Sequence, residues 1–248
     1  AGGAPLSKEI EEFFFSAGLL VCQGYGLTET SPMISCNSPK AFKFGTVGQP
    51  ILGCEVRIGE ANEIQARGPN IMKGYYKKPE ATQETFVDGW FKTGDVGFID
   101  EDGFLVITDR IKDLIITAQG KNVAPQHIEM IVGKDHYIEQ IVTIGDKRKY
   151  ISALIVPVFA SLEQYARENK IAFASREDLV KNPAIIDFFS NRIKEVSAEL
   201  PNYERIIRFT LISHEFTQDA GELTPTMKIR RKVIAEKYRD LIDKMYSA

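Results

Sequence analysis

The sequence predicts a mixed α+β fold in two parts. From Gly45 to Arg67, short apolar runs are punctuated by glycines, and Phe98–Ile99 and Phe104–Thr108 flank Asp100-Glu101-Asp102-Gly103, a hairpin signal. Beyond residue 113, strand-like runs alternate with helical ones. Between the two lies Asp109-Arg110-Ile111-Lys112-Asp113, charged in both signs, and the domain boundary is placed there: residues 1–110 and 111–248.

The elements follow in order. Residues 5–17 read as a helix, with Pro5 suited to its first turn and Leu6, Ile10, Phe13, Phe14 and Ala17 on one apolar face. Leu19-Leu20-Val21-Cys22 reads as a buried strand. Thr46-Val47, Cys54–Ile58 and Glu63–Ala66 read as short strands, and Pro79–Phe86 as a short helix. The second part should run strand (Leu114–Thr117), helix (Pro125–Val132) and strands at Gln140–Ile144 and Ser152–Val156. Helices near 159–169, 176–181 and 183–199 come next, then a strand at Arg208–Ile212 and a last helix at about 228–245.

The 248 residues are 44% hydrophobic and 26% charged, the composition of an ordinary globular chain. A formal net charge of −3 argues against a nucleic-acid partner. Cys22, Cys36 and Cys54 are odd in number, which favours a reducing, cytoplasmic compartment. His127, His136 and His214 make no metal-ligand spacing with them. No run of 18 apolar residues occurs.

Chemistry concentrates in four places. Gly24-Tyr25-Gly26-Leu27-Thr28-Glu29-Thr30 offers two glycines, an aromatic face, two hydroxyls and a carboxylate. Those groups suit a nucleotide's base and its phosphate or Mg²⁺. They equally suit a strand-to-loop turn with Tyr25 in the core. The stretch lacks the third glycine of a dinucleotide loop, and no Gly-x-x-x-x-Gly-Lys-Ser/Thr loop occurs. In Gly89–Asp95, Gly94 permits a turn and Asp95 points a carboxylate from the end of a β element, either toward ribose hydroxyls or merely as a turn cap. Asp109–Asp113 with Gly120-Lys121-Asn122-Val123 reads as a solvated linker or as a hinge. Leu223–Lys232 makes an exposed turn at Thr224, Pro225 and Thr226, with Lys228 in the first turn of the last helix. Cations there oppose the helix dipole, so Lys228 needs a reason, whereas Arg231, Lys232 and Lys237 read as the wet face.

Taken in order, these pieces resemble the adenylate-forming family of acyl-CoA synthetases, luciferases and peptide-synthetase adenylation domains. The resemblance rests on residues 2–6, 24–29, 89–95, 102–113, 120–123 and 225–231, nearly end to end. Asp-Arg-Ile-Lys-Asp, Gly-Lys-Asn-Val-Ala-Pro, the helical insert around 159–199 and Leu-Thr-Pro-Thr-Met-Lys look most like the long-chain fatty-acid–CoA ligases. Many relatives carry glycine before the lysine where Met227 stands here, a departure that fits that branch.

The resemblance implies the tail of a large α/β domain with a β-rich subdomain, followed by a small, mobile α+β C-terminal domain. It implies an AMP-forming ligase using ATP, Mg²⁺, CoA and a fatty acid. Tyr25 would stack on adenine, with Gly2 and Gly3 lining the same pocket. Thr28 would contact the α-phosphate, Glu29 hold Mg²⁺, and Asp95 and Arg110 bind the ribose hydroxyls. Lys112 would be the hinge, Gly120 part of the CoA channel, and Lys228 the bridge between the fatty carboxylate and the α-phosphate. The Ser/Thr/Gly-rich loop ending in lysine that the family uses for the β- and γ-phosphates is not found in these 248 residues. The chain is therefore expected to be a C-terminal fragment, completed by an N-terminal region of the same protein and inactive alone. A long-chain substrate also implies peripheral membrane contact, although no basic amphipathic helix marks it. Two other readings stay open: a ligase for a carrier protein or a shorter or aromatic acid, and a nucleotide-binding module without catalysis.

Overall fold

Helix α1, Lys8–Ser16, begins where the sequence supplies a cap, with Ser7 Oγ accepting the Ile10 N–H at 3.4 Å. The computed structural model describes residues 1–3, 6–225 and 227–247, so the placing of Pro5 lies outside the described residues. The helix's expected apolar face is exposed at Ile10, Phe13 and Phe14. Its buried residue is Glu11, whose Oε2 accepts the Gly45 N–H at 2.6 Å. Leu19–Cys22 is not a strand, and Leu19 and Leu20 are exposed. A buried strand needs a hydrogen-bonded ladder, and the described residues give this run no ladder partner.

Contacts divide the chain into Ala1–Asp113 and Leu114–Ala248. In the first unit β1 (Gly24–Tyr25), β2 (Ser35–Cys36) and β3 (Gln49–Pro50) make a small antiparallel sheet in that order. Thr46–Val47, expected as a strand, is a bend followed by irregular chain. The larger antiparallel sheet holds β4 (Glu55–Ile58), β5 (Glu63–Arg67) and, after α2 (Pro79–Thr85), β6 (Phe86–Val87), β7 (Trp90–Ile99) and β8 (Leu105–Arg110). Strand β7 is the spine: β5 pairs with Phe91–Val96, β6 with its start, and β8 with its second half. Tyr25, Ile34, Cys54, Ile64, Ala66 and Leu105 form the core here.

The second unit opens with a hairpin of β9 (Ile115–Ile116) and β10 (Asn122–Val123). Helix α3, Pro125–Val132, follows with proline in its first turn. Strands β11 (Ile138–Ile144) and β12 (Ile151–Pro157) are antiparallel, and β13 (Ile206–Leu211) lies parallel to β12. The return from β12 to a parallel neighbour requires a crossover, and α4 (Phe159–Glu168), α5 (Arg176–Lys181) and α6 (Pro183–Val196) supply it. Strand β12 is buried along its whole length, which explains its unbroken run of small and apolar residues.

The expected last helix is two helices, α7 (Arg231–Lys237) and α8 (Arg239–Tyr246), and it starts three residues later than expected. Tyr238 breaks it, buried, with its hydroxyl bonded to Glu222 Oε1 at 2.8 Å. Among the described residues no helix is long and apolar enough to cross a membrane.

Candidate functional site

Two of the first unit's candidate residues, Tyr25 and Arg110, meet at a third, Asp95. This residue lies mid-strand in β7, opposite Arg110 of β8, and not at a strand end as the sequence suggested. Gly94, at φ +71°, bends the strand just before it. Tyr25 Oη donates to Asp95 Oδ2 at 2.6 Å and Arg110 Nε donates to Oδ1 at 2.7 Å. Asp95 and Tyr25 are buried, while the Arg110 side chain is 42% exposed. Burial, then the Asp95 charge and its bond, push the Tyr25 hydroxyl well above its ordinary value. An ionised carboxylate has about four acceptor directions. The two bonds to Tyr25 and Arg110 leave room for a further pair of donors. Arg110 also lines a shallow depression with Glu63, Lys92, Gly94 and Lys112.

Tyr25 packs in the core, as the plain-turn reading held, and its hydroxyl reaches a candidate ligand group. Little of its ring is exposed for stacking. Gly2 and Gly3 come to the same place: the Gly24 N–H donates to the Ala1 carbonyl at 2.8 Å, and a Cβ on Gly2 would stand 3.0 Å from the Gly24 carbonyl oxygen. Gly3, at φ +87°, faces open space. Gly26 serves the loop itself, since a Cβ there would fall 1.8 Å from the Pro32 carbonyl oxygen.

One turn of 3₁₀ helix, Thr28–Thr30, separates the two hydroxyls by task. Thr30 is buried and its Oγ1 accepts the Leu27 N–H at 2.9 Å, whereas Thr28 is exposed. Glu29 Oε1 accepts from Tyr75 Oη at 2.9 Å. Among the described residues no group of three or more His, Cys, Asp or Glu gathers as a metal site. A single carboxylate such as Glu29 is the donor set of a cation that takes its other ligands from phosphate oxygens and water, the habit of Mg²⁺. The charged stretch expected as linker is partly strand: Asp109 is buried and accepts the Arg110 N–H at 2.6 Å, while Lys112 is exposed.

In the second unit Gly120, at φ +74° and facing open space, closes the β9–β10 turn, its N–H donating to the Thr117 carbonyl at 2.9 Å. Lys228 is exposed on a different turn. It sits not in a helix but in a tight hairpin bridged by Leu223 and Ile229, where Thr224 N donates to its carbonyl at 2.8 Å and its own N–H donates to Thr224 Oγ1 at 3.0 Å. This place ahead of α7, which starts at Arg231, takes it out of the first helical turn, where the dipole would oppose it. Thr226, expected in this turn, lies outside the described residues.

Sequence reasoning passed over several partners. Tyr75 carries no motif that marks it as Glu29's partner. Arg231 and Lys237, read as wet-face cations, pair with Glu129 and Glu222. Apolar periodicity assigns faces to a helix and says nothing of a carboxylate remote in sequence.

The family described as AMP-binding enzyme C-terminal domain matches residues 112–248, and the family described as AMP-binding enzyme matches residues 1–76. The chain is 42% identical over 248 residues to long-chain-fatty-acid–CoA ligase FadD15 of Mycobacterium tuberculosis, spanning all of this chain and 41% of that protein. Among solved structures it is similar to o-succinylbenzoate coenzyme A synthetase of Bacillus subtilis in complex with ATP and magnesium ion, with TM-score 0.67 and 27% identity over 93% of this chain and 44% of that one. It is also similar to the adenylation domain of a carboxylate reductase from Mycobacterium chelonae, with TM-score 0.74 and 26% identity over 100% of this chain and 38% of that one.

Proposed function

Because the chain belongs to the AMP-binding enzyme family, we propose that it is the C-terminal portion of a long-chain fatty-acid–CoA ligase. The whole protein would convert fatty acid, ATP and CoA to acyl-CoA, AMP and pyrophosphate through an acyl-adenylate. On this reading residues 1–110 are the tail of the large domain and 111–248 the small mobile domain. The enzyme works in the cytoplasm and meets its substrate at membrane surfaces, where long-chain acids partition. The observation that carries the proposal is the Asp95 carboxylate, fixed by Tyr25 and Arg110 with acceptor capacity left for a ribose diol.

The adenylation step must bring a carboxylate against the α-phosphate, two negative groups that repel. The Lys228 ammonium offsets that repulsion, and a preorganised cation is most effective where water is excluded. Thr28 would offer a hydroxyl to the α-phosphate, and Glu29, held by Tyr75, would hold Mg²⁺. When bound, Mg²⁺ neutralises phosphate charge. Tyr25, Gly2 and Gly3 border the base, and Asp95 with Arg110 holds the ribose. Rotation about Lys112 then exchanges Lys228 for the Gly120 turn, which borders the pantetheine of CoA.

The test is kinetic. In the full-length enzyme Lys228→Ala should lower fatty-acid-dependent ATP–pyrophosphate exchange by about 10²–10³, with a much smaller effect on thioester formation from supplied acyl-adenylate. Equal losses in both steps would remove Lys228 from this role. A substrate panel favouring a shorter or aromatic acid would reassign the branch. The chain spans less than half the length of the curated relatives it matches, and alone it should catalyse no exchange; exchange by the isolated chain would overturn that part of the proposal.

A further inference from the structure

The hairpin that carries Lys228 is fastened at both ends by ion pairs whose carboxylates are largely buried, while the Lys237 and Arg231 side chains keep 45% and 20% of their surface exposed. Upstream stands Glu222, fully buried. Its Oε1 accepts from Lys237 Nζ at 2.9 Å and Tyr238 Oη at 2.8 Å, and its Oε2 accepts the Thr217 N–H at 3.0 Å. Its carbonyl accepts the Arg230 N–H at 2.8 Å, which closes the hairpin's base. Downstream stands Arg231. Its two terminal nitrogens bond Glu129 of α3 at 2.6 and 2.5 Å, and Glu129 Oε1 also accepts the Thr143 N–H of β11 at 2.7 Å. One end is thus tied to the α7–α8 junction and the other to α3 and the sheet.

A half-buried ion pair is a poor way to gain stability, because desolvation of its carboxylate and solvent screening of its cation together offset most of the attraction. What such pairs do give is a fixed position, since a carboxylate with three donors, or a two-pronged arginine bond, tolerates one geometry. Here both pairs bracket a short hairpin that bears an exposed lysine beside its turn. We infer that Glu222 and Arg231 are positioning residues for Lys228, holding the hairpin so that its ammonium meets the reacting groups without reorganisation. The inference rests on the proposed role of Lys228.

The experiment uses the full-length enzyme with Glu222→Gln, Arg231→Lys and each of these combined with Lys228→Ala. Glu222→Gln keeps size and the Thr217 bond while removing the charge that Lys237 meets. Arg231→Lys keeps charge and gives up the two-pronged bond. Each single variant should lower the turnover number of the adenylation half-reaction by about 10–100-fold, the scale for a misplaced catalytic group. The KM for ATP and thioester formation from supplied acyl-adenylate should stay near wild type. In the Lys228→Ala background neither substitution should lower adenylation further, because residues acting through one group are not additive.

An equal fall in both half-reactions, or a further fall in the Lys228→Ala background, would mean a general structural role and overturn the inference. So would unchanged adenylation in the single variants while Lys228→Ala alone is selective. If Lys228→Ala itself is not selective, the functional reading fails, and that outcome is separate. Should Glu222→Gln fail to fold, Arg231→Lys carries the same test.

Discussion

Tyr25→Phe removes a single oxygen from the first unit and leaves the ring where it packs. The lost bond is short, 2.6 Å, and its acceptor is the buried Asp95 carboxylate. A hydrogen bond to a charged partner contributes about 1.5–3 kcal/mol. Arg110 still holds the other carboxylate oxygen, so a loss of about 2 kcal/mol is expected, within that range. With a urea dependence of about 2 kcal/mol per molar, the unfolding midpoint should fall by about 1 M. Trp90, the only tryptophan in the sequence, lies on β7 with Asp95, so its fluorescence reports the right unit. The pH dependence gives a second, sharper check. Burial and Asp95 raise the Tyr25 hydroxyl well above its ordinary 10.0. Above pH 10 the unfolded chain therefore gives up a proton that the native state keeps. The hydroxyl's contribution is fully present below pH 10 and is lost above it at about 1.4 kcal/mol per pH unit. The gap between wild type and Tyr25→Phe should be constant from pH 7 to 9 and nearly closed by about pH 11.5. A gap below about 0.5 kcal/mol at neutral pH, the size of an ordinary surface substitution, or one unchanged up to pH 11, would refute the coupling of Tyr25 to Asp95.

Two further substitutions probe the scaffold. Gly26→Ala places a Cβ 1.8 Å from the Pro32 carbonyl oxygen and 2.7 Å from Met33 Cα. Backbone blocks it on that side, so a destabilisation above about 4 kcal/mol is expected; a native-like urea transition at Trp90 would contradict the packing. Arg231→Met strands Glu129, whose side chain is 11% exposed. Breaking such a pair costs about 3–5 kcal/mol, taken here at the lower end because the Arg231 side chain keeps some water. In a unit of this size that is a fall in melting temperature of about 10 °C by circular dichroism. Adding Glu129→Leu should recover much of it, and a double variant no more stable than the single would count against the pair.

What could be read from the sequence was local. Helix α3 announces itself with Pro125 in its first turn and Ile128 and Val132 on one face. The Asp100–Gly103 turn fixes β7 against β8, and the apolar run of β12 marks a central strand. The misreadings share a cause. Leu19–Cys22 has the composition of a buried strand, but a strand is made by its ladder and not by its apolar content. The stripe through Ile229, Ile234 and Ile242 reads as one helix because periodicity cannot register a tyrosine drawn to a carboxylate sixteen residues upstream. The resemblance brought Tyr25, Asp95 and Arg110 together as ligand contacts. The bonds among them, across 70 and 15 residues, are tertiary facts.

Two carboxylates in this chain share one arrangement and differ in what it leaves free. Asp95 lies between a tyrosine hydroxyl at 2.6 Å and an arginine at 2.7 Å. Glu222 lies between a tyrosine hydroxyl at 2.8 Å and a lysine at 2.9 Å. Both tyrosines are raised above their ordinary value by burial and then by their carboxylate, so each is a neutral donor at working pH. For Glu222, burial pushes the carboxyl up, but the bonds from Lys237, Thr217 and Tyr238 outweigh it, and the group is held below its ordinary 4.5. Capacity separates their tasks. Glu222 has a third donor in the Thr217 N–H and a side chain only 1% exposed, so it is closed to any ligand and can act only through what it holds. Asp95 meets two side-chain donors and keeps 10% of its side chain exposed beside Arg110. With about four acceptor directions per carboxylate, the open one is the group to test with AMP: Asp95→Ala should abolish nucleotide affinity that Glu222→Gln leaves intact. Equal affinity losses in the two variants would remove the distinction.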